Sequence, residues 1–248
     1  HKNNYSVYFL FMVINNRILA NIIIIDKYTI NMRILLYTLL TIIISLKAYS
    51  FDDGCIKSDN FPFCLYDNYK QEFIIIRNEK EVGWHKVEFQ KTSDGFKVIS
   101  SAYIKARYLL FLDYIFEYSS ISTWNNNQLQ ENVINIDDDG NDYSILIKRI
   151  DENKIEITNE EKEIYIHEGN NIFPSDHWHP YEIRSKYLLN TLNGEVLEMD
   201  TKQIDNNTWY IDGKVKYYIN YDDEGRWTGL KFDADEDDII EYKCITCD

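Results

Sequence analysis

From Tyr69 onward, apolar and polar residues alternate with a period of two, a rhythm suited to strands with one buried face. Val87 and Phe89 alternate with Lys86, Glu88 and Gln90. Phe96, Val98 and Ile104 resume the pattern after Ser93-Asp94-Gly95, which has the Asp-Gly character of a hairpin turn. Residues 108–120 are more uniformly apolar and predict one long, central strand. Asn125-Asn126-Asn127 turns the chain into a strand over 128–136, and residues 137–141 separate it from another over 143–150. Residues 154–158 and 163–167 make a tight pair, and five more strands are expected over 195–200, 208–211, 214–221, 226–232 and 239–244. Turn signals about every 8–12 residues predict an all-β sandwich, barrel or curved sheet. The exception is residues 180–190, PYEIRSKYLLN, which read as one short helix with proline in its first turn. No linker or repeat divides this stretch, so residues 69–248 are expected to form one antiparallel β domain, preceded by a loop over 51–68.

Residues 32–50, MRILLYTLLTIIISLKAYS, have a different grammar. A Met-Arg start, a short apolar run and two small residues, Ala48 and Ser50, spaced for a peptidase, predict a secretory signal peptide. Residues 1–31 are expected to be translated sequence upstream of the true start. The rival is a longer membrane anchor using residues 7–14 and 18–25, but Asn15, Asn16, Arg17 and Asp26 break any run of about 20 apolar residues. A lipid anchor on Cys55 is disfavoured by the preceding Asp52-Asp53-Gly54. The mature protein is therefore expected outside the cytoplasm, periplasmic or secreted, with no stable membrane insertion once processed.

Charge narrows the partners. The first 50 residues hold five Lys/Arg and one Asp, so the other 198 carry 21 basic and 40 acidic side chains, a net charge of −19. Such a surface repels phosphate backbones and anionic headgroups, which excludes nucleic acid as a partner. Solvation is the plainer account of this acidity. The four cysteines, Cys55, Cys64, Cys244 and Cys247, all lie in the exported part, where an even count points to disulfides. They allow three pairings, from a local 55–64 bridge to cross-links tying the two ends together. A four-cysteine zinc site and a redox C-x-x-C pair are the weaker readings, the latter because no strand-to-helix setting surrounds Cys244 and Cys247.

His177-Trp178-His179 is the sharpest cluster. Residues two apart on an extended segment point the same way, so His177 and His179, with Asp176, could grip a metal and support a secreted metal-dependent hydrolase. The flanking Pro174 and Pro180 argue instead for a loop wedged in place by Trp178. Residues 137–142, DDDGND, resemble the opening of a calcium loop, yet position twelve is Lys148 and strands flank the run, so a hairpin turn explains it better. The acidic run 233–238 reads the same way. No nucleophile elbow, P-loop or zincin helix occurs, and with 40 acids outside the leader a suitable carboxylate pair would arise without meaning. No cofactor is implied. Trp84, Trp124, Trp178 and Trp227 stand at strand ends or beside turns, where they plug the rims of a sheet or line the mouth of a ligand cavity.

The order of landmarks resembles a family. Residues 74–83 with Trp84 and His85 come first, then Phe116-Glu117-Tyr118 leading to Trp124, then Pro174-Ser175 with Trp178 and Pro180. Leu188-Leu189-Asn190 with Gly194 and residues 221–227, YDDEGRW, with Gly229-Leu230 complete the set. These landmarks, over about residues 70–243, are similar to an uncharacterised family of exported bacterial proteins, a numbered domain of unknown function. The resemblance implies a single meandering antiparallel sheet curled into a half-barrel, akin to periplasmic carriers that shield lipid or acyl chains. It brings no catalytic residues. The expected function is therefore non-enzymatic binding of an apolar or amphipathic ligand, or of a partner protein, on a curved sheet.

Overall fold

The alternating segments fold as hairpins in a computed structural model that describes residues 51–247, apart from 52, 110, 111, 170, 236 and 237. The expected upstream segment 1–31 and signal peptide 32–50 lie outside the described residues. One arm contains β1 (Lys70–Arg77), β2 (Lys80–Thr92), β3 (Gly95–Leu109), β4 (Leu112–Asn125), β5 (Gln128–Asp138), β6 (Asn141–Asp151), β7 (Lys154–Thr158) and β8 (Ile164–Glu168). The other contains β9 (Ile172–Pro174), β10 (Tyr187–Leu189), β11 (Val196–Gln203), β12 (Thr208–Gly213), β13 (Tyr217–Tyr221), β14 (Trp227–Asp235) and β15 (Asp238–Cys244). Neighbours pair antiparallel, except β9 with β10, and β15 returns to pair with β1. The result is one 15-stranded sheet ordered from β8 back to β1, then from β15 back to β9.

Local chemistry sets these hairpins. Asn126 and Asn127 join β4 to β5 with φ of 50° and 57°, and Asp139 and Gly140 join β5 to β6 with φ of 53° and 88°. Two successive left-handed residues match the twist of flanking strands, and Asn, Asp and Gly tolerate that conformation best. Gly83 has a different role: a Cβ there would stand 1.9 Å from the Tyr103 carbonyl oxygen, so β2 and β3 can approach only because the atom is missing.

The sheet order dictates a curl. Strands β8 and β9 occupy opposite edges, yet residues 169–171 alone connect them. Four Cα steps reach about 14 Å at most. The edges must therefore lie side by side, and contacts agree. The Tyr165 hydroxyl donates to the Gly194 carbonyl, and the His167 ring packs on Tyr187 at 5.1 Å between centroids. Among the described residues no hydrogen-bonded ladder joins β8 to β9, so the curl is not closed by backbone pairing.

Inward-pointing residues fill one end of this roll with aromatic rings. Trp124 meets Trp178 edge-on at 5.1 Å, Phe61 stacks on Trp178 at 5.9 Å, and Tyr66 stacks on Phe89 at 4.5 Å. Phe61 and Tyr66 come from the loop before β1, where Ile56 and Leu65 are also buried. That loop is clipped by a Cys55–Cys64 disulfide with Cα atoms 5.8 Å apart, while Cys244 and Cys247 pair at 5.7 Å. Both bridges are local, and no cysteine is left for a zinc site. Among the described residues no helix is long and apolar enough to cross a membrane.

Two local expectations need correction. Residues 108–120 are not one strand: β3 ends at Leu109, β4 starts at Leu112, and the two pair with Leu109 opposite Leu112. No Gly, Pro or Asn marks that hairpin, because the turn falls inside an apolar run. The helix expected over 180–190 is a single 3₁₀ turn, Pro180–Arg184, after which Tyr187–Leu189 joins the sheet as β10. Ser185 caps it, its amide donating to the Glu182 carbonyl at 3.0 Å and its hydroxyl to the Asn171 carbonyl at 2.6 Å.

Candidate functional site

The end of the roll away from the aromatic plug is hollow. A cavity of about 640 Å³ opens there between the two arms. Its apolar wall includes Phe116 of β4, Leu188 of β10, Leu197 of β11, and Leu230 and Phe232 of β14. Its polar end is formed by His85, Tyr118, Ser175, Asp176, His177, Thr191 and Tyr217, with Lys214, Lys216 and Asp233 completing the charged lining. Volumes of roughly 300–1,000 Å³ with mostly apolar walls and a few convergent polar groups are typical of small-molecule sites.

The segment after β9 builds that polar end. The Trp178 amide donates to the Asp176 carbonyl at 2.9 Å across His177, whose φ is 62°. A γ-turn with positive φ at a residue bearing a Cβ is strained, and here it sends consecutive side chains in different directions. Asp176 is 1% exposed; its carboxylate accepts from the Tyr118 hydroxyl at 2.5 Å and from Ser120 at 3.2 Å. Burial raises the Asp176 pKa, and these donated bonds oppose the rise. Burial, and then the Asp176 charge, pushes the Tyr118 phenol well up.

His177 faces a second carboxylate. Its Nδ1 lies 3.0 Å from Glu182, which is fully buried and also accepts from the Tyr217 hydroxyl at 2.7 Å. The Tyr221 hydroxyl donates to the His177 carbonyl at 2.8 Å, fixing the turn from below. Burial and then Glu182 raise the Tyr217 pKa well above the usual phenol range. Beside them, His85 shares a 2.7 Å hydrogen bond with Ser100, and burial lowers its pKa to about 3, with the His177 charge adding to the effect.

The candidate metal residues do not converge. His179 turns into the aromatic plug, its ring 4.5 Å from Phe173 and 5.0 Å from Phe61, and Nδ1 accepts from the Tyr181 amide at 3.1 Å. Burial brings its pKa to about 3. Asp176, His177 and His179 thus serve three separate sets of partners, and among the described residues no three His, Cys, Asp or Glu side chains gather as a metal site requires. Residues 137–142 span the β5–β6 hairpin, and of the run 233–238, Asp233 lies near the end of β14 and Asp238 opens β15.

Of the four candidate tryptophans, Trp124 and Trp178 belong to the plug. Trp227 stands one layer behind the cavity, 5.3 Å from the His85 ring and 5.5 Å from the His177 ring. Trp84 lies elsewhere, 46% exposed and stacked on Tyr103 in an open groove with Glu117, Asp137 and Asp142. Sequence reasoning missed His85, Tyr118, Ser120, Glu182 and Tyr217. A signal existed for one of them: Ser120 has the same strand parity as the buried Tyr118 and Trp124, so it is a polar residue at a core position.

A crystal structure described as a β-barrel-like protein of domain of unknown function DUF1849 from Brucella abortus is similar to this fold. It is 10% identical, with a TM-score of 0.50 over 71% of this chain and 95% of that one. None of the curated proteins matches the chain. The model of a family described as a domain of unknown function, DUF6134, matches residues 73–245, and the chain belongs to that family.

Proposed function

We propose that this protein is an exported, non-enzymatic carrier that holds an apolar or amphipathic small molecule in the cavity between the two arms. The observation that carries the reading is the cavity itself, about 640 Å³ with an apolar wall and one polar end, in a protein whose opposite end is packed solid. Two disulfides suit an oxidising compartment and support export to the periplasm or the medium. Each buried methylene of a ligand would contribute about 0.8 kcal/mol, so a ten-carbon chain offers roughly 8 kcal/mol before ordering costs. The polar groups at the buried end orient such a molecule. Trp227 holds the His85 and His177 rings in place from behind without contacting the ligand.

The test is extraction of the purified protein with organic solvent, followed by mass spectrometry and a melting curve before and after. Bound amphiphile should be recovered, and its removal should lower the melting temperature; saturation at 100 times Kd is worth about 2.7 kcal/mol. A protein that yields no extractable molecule and whose melting is unmoved by added apolar ligands refutes the reading.

A further inference from the structure

We propose that the ligand of this cavity is an amphipathic amine, an apolar body carrying a primary ammonium that is received at the buried end beside Asp176. The inference rests on the cavity being a ligand site, as proposed above, and adds the chemistry of the ligand's head.

The buried end is rich in acceptors, and the His177 charge that offsets Asp176 is shared with Glu182. Asp176 is 1% exposed, and its hydrogen bonds come from the neutral hydroxyls of Tyr118 and Ser120, with Ser100 a further neutral partner. An ionised carboxylate accepts about four bonds, so acceptor capacity remains. Ser120 is itself shared, lying 2.8 Å from Asn132 Oδ1. The neighbouring imidazole, His177, has its Nδ1 committed to Glu182, a second fully buried carboxylate. Two buried carboxylates that share one imidazole are costly to keep ionised. His85 adds a second acceptor with spare capacity. Its Nε2 is engaged with Ser100, and Nδ1 is buried without a partner. With the ring proton on Nε2, Nδ1 is a bare lone pair in the cavity wall.

The cations that line the cavity do not answer this need. Lys214 and Lys216 have side chains 67% and 63% exposed and are engaged by Glu195 at 2.5 Å and Asp212 at 3.2 Å. Asp233 adds another negative charge to the lining. The mouth is therefore near balance and the buried end is negative. An ammonium brings three donors and no acceptor, whereas a carboxylate or phosphate head would bring only acceptors and like charge. The rings of Tyr118, Tyr217, Tyr242 and Phe116 also line the space, and aromatic faces attract a desolvated cation.

Three probes of equal chain length decide the matter: dodecylamine, dodecanol and dodecanoate, titrated into solvent-extracted protein at pH 7 and 0.3 M salt, below the concentration at which each aggregates. The salt screens general attraction to an acidic surface. Dodecylamine should bind at least tenfold more tightly than dodecanol, with dodecanoate weakest. Asp176→Asn should remove the amine preference and leave dodecanol binding in place; should that variant fail to fold, the three-probe ranking on the native protein decides alone. Dodecanoate binding as tightly as dodecylamine, or a preference that survives Asp176→Asn, overturns the amine assignment while leaving the cavity as a ligand site. If no probe binds, the cavity reading falls, and the amine assignment with it.

Discussion

Acidifying the protein from pH 7 to pH 5 should cost it several kcal/mol of stability, and two rings set that figure. His85 and His179 are 6% and 3% exposed, and burial holds each pKa at about 3 against an ordinary 6.5. The unfolded chain takes up protons that the folded rings refuse. Because the folded pKa is depressed, the stabilising contribution is complete above pH 6.5 and is lost progressively as pH falls towards 3. Between pH 7 and pH 5 each ring accounts for about 1.9 kcal/mol, so the pair accounts for about 4 kcal/mol. Asp176 works against this. Its pKa is raised by burial, so its contribution improves as pH falls, whereas His167, its pKa also lowered by burial, adds to the loss. Asp113 beside Arg107 and Asp238 beside Arg77 are held low, so their losses begin only below pH 4, outside the window. Urea unfolding followed by tryptophan fluorescence at pH 7, 6 and 5 measures the slope. The double variant His85→Gln/His179→Gln should be weaker at pH 7 yet nearly flat down to pH 5. A loss below about 1 kcal/mol in the native protein, or an unchanged slope in the double variant, refutes the reasoning.

Gly83→Ala should destabilise by more than about 3 kcal/mol or prevent folding, since its Cβ would meet the Tyr103 carbonyl oxygen at 1.9 Å; equilibrium unfolding measures it. Removing the Cys55–Cys64 bridge by double serine substitution should cost about 3 kcal/mol from chain entropy, and a melting curve with the Cys244–Cys247 bridge intact tests this.

The strand pattern was legible because one face of each strand is buried and the other wet. Val87 and Phe89 point inward while Glu88 and Gln90 do not, and the residues show it. Legibility ends where both faces are covered or the element is too short to have a period. The β3–β4 turn vanished inside Leu109-Leu110-Phe111-Leu112, and β9, only three residues ending in proline, carries no alternation. The site was half visible. Asp176 and His177 drew attention as neighbours, but a γ-turn separates their roles, which spacing cannot reveal. Glu182 carries no signal of its own in the sequence. It is fully buried because the 3₁₀ turn lies inside the roll, a fact of tertiary packing that no local window contains.

The place where β1 meets β15 has a consequence for how the molecule comes together. Phe73 sits opposite Cys244 in the middle of the sheet, not at its margin. Every other antiparallel neighbour is reached by a nearby reversal, so each arm can zip outward from its own hairpins, as local contacts are cheap in chain entropy. The β1–β15 seam is the exception and cannot knit until every strand between the two has been made. Until then two half-finished arms expose raw strand edges at their centre, where another chain could pair in error. The ladder at the centre of the sheet is thus also the last to be protected.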